Sequence, residues 1–169
     1  MNAPASARLD LITTWGVIRL CAENGRLLWC ALPAKHRTAA NAPRLIARQF
    51  TGAPANRRVL RAAEKFVRAC LLGRTPPAAP PLTKPAAAFT ARVLAALQKI
   101  PRGATRTYGD IARQLDVPRA ARAVGRACGA NPLPLFIPCH RVVAAHGALG
   151  GFSAGLAWKK FLLAKERAG

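Results

Sequence analysis

The stretch "LFIPCHRVV", Leu135 to Val143, sets a thiol beside an imidazole after an apolar run and a proline. A cysteine so placed can be a nucleophile, a metal ligand or buried packing. A zinc deaminase pattern needs P-C-x-x-C, and Val142 stands where its second cysteine would be. His36 and His146 are isolated in sequence, so no metal set and no cofactor is expected. A Cys–His hydrolase needs the ring against the sulfur, and such partners usually lie far apart in sequence. Neighbours in extended chain point to opposite faces. Through a water His140 can still reach Cys139, which suits a proton relay better than a direct pair, and a buried cysteine beside a chance histidine stays open on these residues alone.

The whole chain is strongly basic. Its 169 residues carry 27 Lys and Arg against 6 Asp and Glu, a net charge of +21. Residues 1–84 hold 14 bases and 3 acids, and residues 85–169 hold 13 and 3, so the charge is not a tail. Such a field draws polyanions, and an Arg- and Ala-rich background accounts for part of it. With 51% hydrophobic residues the chain can bury a core. No run approaches the roughly 20 apolar residues of a membrane span, and "MNAPASARLDLITTWG" lacks the apolar centre of a secretory signal. An intracellular, cytoplasmic protein is expected. Five cysteines without a C-x-x-C pair argue for free thiols over a disulfide framework.

These side chains need a scaffold, and the hydrophobic pattern supplies one. "RLDLITTWGVIRLCAENGRLLWCALP" predicts three short strands with turns at Trp15-Gly16 and Asn24-Gly25. Val59, Ala63, Phe66, Val67 and Cys70 share one face of a helix closed by Gly73. "GRTPPAAPPLTKP" is too proline-rich for helix or sheet and marks a domain boundary. The chain thus divides into a domain over 1–75, a linker over 76–88 and a second domain over 89–169. In the second, Phe89 to Ile100 is a helix stopped by Pro101. Thr107 and Asp110 form a capping box opening a short helix to Leu115. Asp116-Val117 turns the chain, and Pro118 is expected to begin a helix running to Gly129. That pair predicts a helix-turn-helix, with Arg119, Arg122 and Arg126 on one face of the second helix between small residues that include Ala121.

"NPLPLFIPCHRVV" followed by "GALGGFSAGLAWKKFLLAKE", with "RTYGDIARQL" and "PRAARAVGRACGANP" upstream, resembles the O6-alkylguanine-DNA alkyltransferase family. The likeness is strong over Phe89–Glu166 and weaker but consistent before it. It implies an α/β, RNase H-like N-terminal domain and a mainly α C-terminal domain with a winged-helix-like helix-turn-helix. The activity implied is irreversible, single-turnover transfer of an alkyl group from O6 of guanine, and from O4 of thymine, to Cys139. His140 resembles the water-linked base and Glu166 the carboxylate that orients it. Asn131 resembles a brace between the helix-turn-helix and the site, and Tyr108 a proton donor toward guanine N3 that also rotates the 3′ phosphate. Cys128, Val142, Phe152, Ser153 and Ala154 resemble the pocket that receives the base. The carbonyls of Cys139 and Val142 would accept from its 2-amino group, and the Ser153 amide would bind O6.

The resemblance further implies a monomer on double-stranded DNA, bound largely without regard to sequence. The second helix would lie in the minor groove, with Arg122 as the finger that fills the stack after base flipping, beside Ala121, Arg119 and Arg126. Three positions depart from the commonest pattern. Phe152 stands where many members have tyrosine and Ala154 where glycine is frequent, which bears on the range of alkyl groups. Cys21 sits one place from a zinc-ligand position found in some N-terminal domains. A non-catalytic lesion-binding relative would lack Cys139, and a transcription factor with the same helices has no use for "PCHR".

Overall fold

The computed structural model describes residues 6–33 and 43–168, so His36 lies outside the described residues. Four antiparallel strands form the first layer: β1 (Ser6–Thr13), β2 (Gly16–Glu23), β3 (Arg26–Ala31) and β4 (Leu45–Gly52), in the order β3-β2-β1-β4. The Asn24-Gly25 turn between β2 and β3 forms as the dipeptide predicts, with φ of 48° and 72°. Alternating residues of β1 (Ala7, Leu9, Leu11) and of β2 (Ile18, Leu20, Ala22) are buried. The buried face of α1 (Arg57–Leu71) packs against them through Val59, Leu60, Ala63 and Val67.

β4 is absent from the three-strand expectation. Among the described residues it is an edge strand paired with β1 alone and largely exposed, so its sequence "LIARQFTG" shows no apolar alternation.

The proline-rich segment does more than connect. Leu82 bridges Leu27 in parallel, Leu27 N donates to Pro81 O at 2.7 Å, and Thr83 N donates to Leu27 O at 3.0 Å. It therefore pairs with the start of the β3 edge at Leu27.

Beyond it come α2 (Ala88–Gln98), β5 (Arg106–Thr107), α3 (Tyr108–Gln114), α4 (Ala121–Gly129), β6 (Val142–Val143) and α5 (Leu156–Arg167). The Thr107–Asp110 capping box is formed: Asp110 N donates to Thr107 Oγ1 at 3.0 Å and Thr107 N donates to Asp110 Oδ2 at 2.7 Å. α4 begins at Ala121, not at Pro118. Pro118 instead takes the second position of a turn closed by Ala120 N and Val117 O at 2.8 Å, where its fixed φ is favourable. Arg119 thus lies in the turn, and only Arg122 and Arg126 stand on the helix.

One continuous core runs through both halves of the chain. Trp15 meets Trp158 edge-on at 4.8 Å, and Phe66 stacks on Phe136 at 4.6 Å. Cys30 N donates to Pro132 O at 2.8 Å. The last two contacts fix the loop that leads into Cys139. Among the described residues no helix is long and apolar enough to cross a membrane.

Candidate active site

Cys139 and His140 lie in a single 3₁₀ turn, Cys139–Arg141, rather than in extended chain. Cys139 N donates to Ile137 O at 2.8 Å and Arg141 N to Pro138 O at 3.0 Å, which tightens the chain after the proline. Leu135, four residues earlier, is buried with φ of 74°, a conformation that only firm packing imposes on a bulky side chain.

Asn131 touches the sulfur itself. Its Nδ2 donates to Cys139 Sγ at 3.2 Å and to Ile137 O at 2.9 Å, while its Oδ1 accepts from Leu133 N at 3.0 Å. Asn131, to which the resemblance gives a bracing role, is therefore a direct partner of the sulfur. Burial pushes the Cys139 thiol up, and the Asn131 hydrogen bond and the Lys159 charge oppose it only in part. The resting thiol is protonated, where a relay suggests a lowered pKa; the pocket's desolvation outweighs the polar contacts.

His140 and Glu166 are paired, with Nε2 2.9 Å from Oε1. Burial alone would raise the Glu166 carboxyl, but hydrogen bonds from His140 and Arg141 and their charges hold it at about 2. Arg141 donates through Nε to Oε2 at 2.9 Å and through Nη2 to Oε1 at 2.8 Å, and Gly103 N donates to Oε2 at 3.2 Å. An ionised carboxylate needs a donor, so the imidazole proton is assigned to Nε2 and the Nδ1 lone pair is free. Nδ1 is buried and has no hydrogen-bond partner among the described residues. Burial keeps the ring neutral by lowering its pKa. The result is a neutral base with one nitrogen held and the other open.

A pocket of about 320 Å³ opens on Cys139, lined by Tyr108, Gly125, Cys128, Gly151, Phe152 and Ser153 among others. Of the expected pocket residues, Cys128, Phe152 and Ser153 line it. Ala154 is buried beside them, and Val142 is buried with its carbonyl accepting from Lys159 Nζ at 2.6 Å. Burial pushes Cys128 up to about 12. Burial also raises the Tyr108 phenol, which stays protonated and able to donate. Gly150, at φ of 64°, passes so close to Tyr108 that a Cβ there would meet Oη at 3.1 Å. Arg122 and Arg126 are exposed on α4, whose Gly125, Cys128 and Gly129 form one wall of the pocket; Ala121 opens the helix and Arg119 is exposed just before it.

Lys159 lies within "GALGGFSAGLAWKKFLLAKE", but none of the sequence expectations gives it a role. It is fully buried, and its Nζ donates to the carbonyls of Val142, Leu149 and Gly151, pinning the pocket loop to α5. Its spacing from Leu162, Leu163 and Glu166 puts it on the buried face of that helix, which the 3.6-residue period shows. His146 is exposed on the loop beyond β6 and takes no part.

A buried thiol faces a small pocket, with an imidazole–carboxylate pair behind it and two helices joined by a tight turn beside it, an arrangement suited to chemistry at sulfur. Residues 88–168 match the family model described as 6-O-methylguanine DNA methyltransferase, DNA binding domain. A methylated-DNA–protein-cysteine methyltransferase of Mycolicibacterium paratuberculosis is 56% identical over 79 residues, 47% of this chain and 48% of the relative. One of Methanosarcina acetivorans is 50% identical over 78 residues, 46% and 50% of the two chains. The aligned part of the chain thus spans about half the length of the curated relatives it matches. The structural likeness is wider. The Mycobacterium tuberculosis OGT solved in complex with DNA superposes with a TM-score of 0.76 at 31% identity, covering 94% of this chain and 91% of that one. An O6-methylguanine DNA methyltransferase from Methanococcus jannaschii gives 0.62 at 30% identity, covering 90% and 89%. The chain belongs to the O6-alkylguanine-DNA alkyltransferase family.

Proposed function

We propose that this protein repairs DNA by taking the alkyl group of O6-alkylguanine, and of O4-alkylthymine, onto its own Cys139. His140 Nδ1, through a water, removes the thiol proton, and Glu166 stabilises the imidazolium that forms. The thiolate attacks the alkyl carbon in line, an S–C bond forms, and the C–O6 bond breaks with its electron pair passing to the purine. Tyr108 gives a proton to N3, so guanine leaves neutral. The thioether is stable to water, so each chain acts once. The observation that carries this reading is the pocket: its floor is Cys139, its wall holds a protonated Tyr108, and behind it stands a neutral imidazole with an open nitrogen.

The partner is duplex DNA, engaged through α4 in the minor groove with the damaged nucleotide flipped into the pocket. The DNA complex of the mycobacterial relative supports that partner. Arg122 fills the vacated stack, Arg126 and Arg119 face phosphates, and Ala121 lets the helix approach closely. The finer assignments belong to the same proposal: an RNase H-like domain over 1–75, supported by the antiparallel sheet and α1, a linker over 76–88, and a winged-helix-like domain over 89–169. So do action as a monomer and a cytoplasmic location.

The test is the mass of the intact protein after mixing with duplex DNA containing O6-methylguanine. One methyl per chain, located on Cys139, is expected. Binding without mass gain would instead make the protein a lesion-recognition module, and repeated turnover would exclude the single-use thioether.

A further inference from the structure

Every residue of α1 that is exposed rather than half-buried is a base: Arg57, Arg58, Arg61, Lys65 and Arg68. The only acid of the helix, Glu64, is buried and already held by Arg48 of β4 at 3.0 Å and Arg68 at 2.8 Å. Together these residues line a concave groove of about 890 Å³ between α1 and β4, on an element that contributes nothing to the Cys139 pocket.

Stability does not explain this arrangement. Arg57 and Arg58 occupy the first turn of a 15-residue helix, where the macrodipole disfavours cations and no acid is present. A cationic first turn and the positive end of the dipole add rather than cancel, which is the electrostatics of an anion site. The groove is also pre-ordered. The Arg57 guanidinium lies 4.6 Å from the centre of the Phe50 ring, and the carboxylate of Glu64 fixes two more guanidinia at the far wall. Arg57, Arg61 and Lys65 recur every four residues, which spaces their charges by about 6 Å along the helix. That is a row of cations suited to a row of anions, and a concave wall of one sign focuses its field.

We propose that the α1–β4 groove is a second nucleic-acid surface, binding the phosphate backbone of duplex DNA independently of the helix-turn-helix. This rests on duplex DNA being the partner, as proposed above. The groove recognises phosphates without bases, since guanidinium and ammonium groups on one helix face carry no base-reading pattern. Its effect is to add phosphate contacts, so that the protein holds DNA more tightly during search than α4 alone allows.

The test uses the full chain and the triple variant R58A/R61A/K65A, which spares the Arg48–Glu64–Arg68 cluster and keeps good helix formers. A second variant, R58K/R61K, retains the charge. Binding to a long undamaged duplex is measured against salt concentration. Three lost phosphate contacts should reduce the slope of log K against log salt by about two to three units, while the lysine variant should keep it. Transfer from free O6-benzylguanine base, which needs no DNA, should be equal in all three proteins and confirms that the variants are folded. An unchanged slope in the triple variant overturns the proposal. So does an unchanged slope accompanied by lost binding of poly-glutamate, which would assign the groove to an acidic polypeptide. Absence of transfer to free base in the wild type as well would count against the alkyl-transfer reading instead, while the salt slope still decides for or against the groove.

Discussion

The Asn131 amide nitrogen sits 3.2 Å from the Cys139 sulfur while also holding the carbonyl of Ile137 at 2.9 Å. One side chain thus positions the loop and solvates the nucleophile in its buried setting. A hydrogen bond to sulfur favours the thiolate over the thiol, against the dominant effect of burial.

Replacing Asn131 by Ala removes that donor and leaves the Leu133 amide without its acceptor, while the Ile137 carbonyl keeps the Cys139 amide as its one remaining donor. The Cys139 thiol pKa should rise further, shifting the pH profile of its modification by a small alkylating reagent to higher pH. Stability should fall by about 1–3 kcal/mol for the buried amide left unpaired. Chemical denaturation measures the second effect. An unchanged pH profile would show that the contact with sulfur is structural alone.

Acid should unfold the protein through the His140–Glu166 pair. The Glu166 carboxyl is held at about 2 in the fold against an ordinary 4.5. Between those values the unfolded chain binds more protons, so the stabilisation is complete above pH 4.5 and disappears as pH falls toward 2. His140 acts in the same direction from higher pH, because its folded pKa lies below 6.5 and the unfolded ring protonates first. Glu166→Gln should flatten the lower part of this dependence. Denaturant midpoints followed down the acid range check it, and parallel curves for the two proteins would contradict the assignment.

Gly150 is bound to Tyr108 by space. A Cβ at this position would stand 3.1 Å from Oη and 3.2 Å from Cε2, at a backbone φ of 64°. Gly150→Ala should cost about 1–2 kcal/mol in backbone strain and push the phenol out of line. Transfer from damaged duplex should slow by about tenfold or more, the scale on which a misplaced proton donor acts. A single-turnover rate equal to wild type would mean that the phenol can move without loss.

Much of this architecture is legible in the sequence where local chemistry decides it. Asn24-Gly25 dictates its turn, Thr107 and Asp110 their capping box, and the apolar face of α1 its packing. The pairing of His140 with Glu166 follows from family resemblance, since residues 26 apart have no local rule to join them. β4 stays hidden because an edge strand with exposed residues carries no periodic signal. Asn131 on sulfur and Lys159 beneath the pocket loop depend on tertiary contacts that no spacing encodes, although the period of α5 puts Lys159 on its buried face. Pro118 misleads because the same fixed φ suits a helix start and a turn, and only the hydrogen bond from Ala120 to Val117 separates them.

The shift of the helix start to Ala121 sharpens what the three arginines should do. Arg122 lies in the first turn of α4, next to the pocket wall, whereas Arg126 is one turn further and Arg119 belongs to the preceding turn. If Arg122 occupies the space of the flipped nucleotide, Arg122→Ala should slow transfer from duplex DNA severely yet leave reaction with free O6-alkylguanine base nearly unchanged. Arg126→Ala and Arg119→Ala should weaken duplex binding uniformly across sequences, each lowering the salt slope by about one unit. Low ionic strength should largely restore the two phosphate-contact variants, because charge defects fade when the remaining attraction strengthens, and should not restore Arg122→Ala. The measurement is the transfer rate on both substrates for all three variants at low and high salt. Equal losses on duplex and free base for Arg122→Ala would remove it from the stack and make it another phosphate contact.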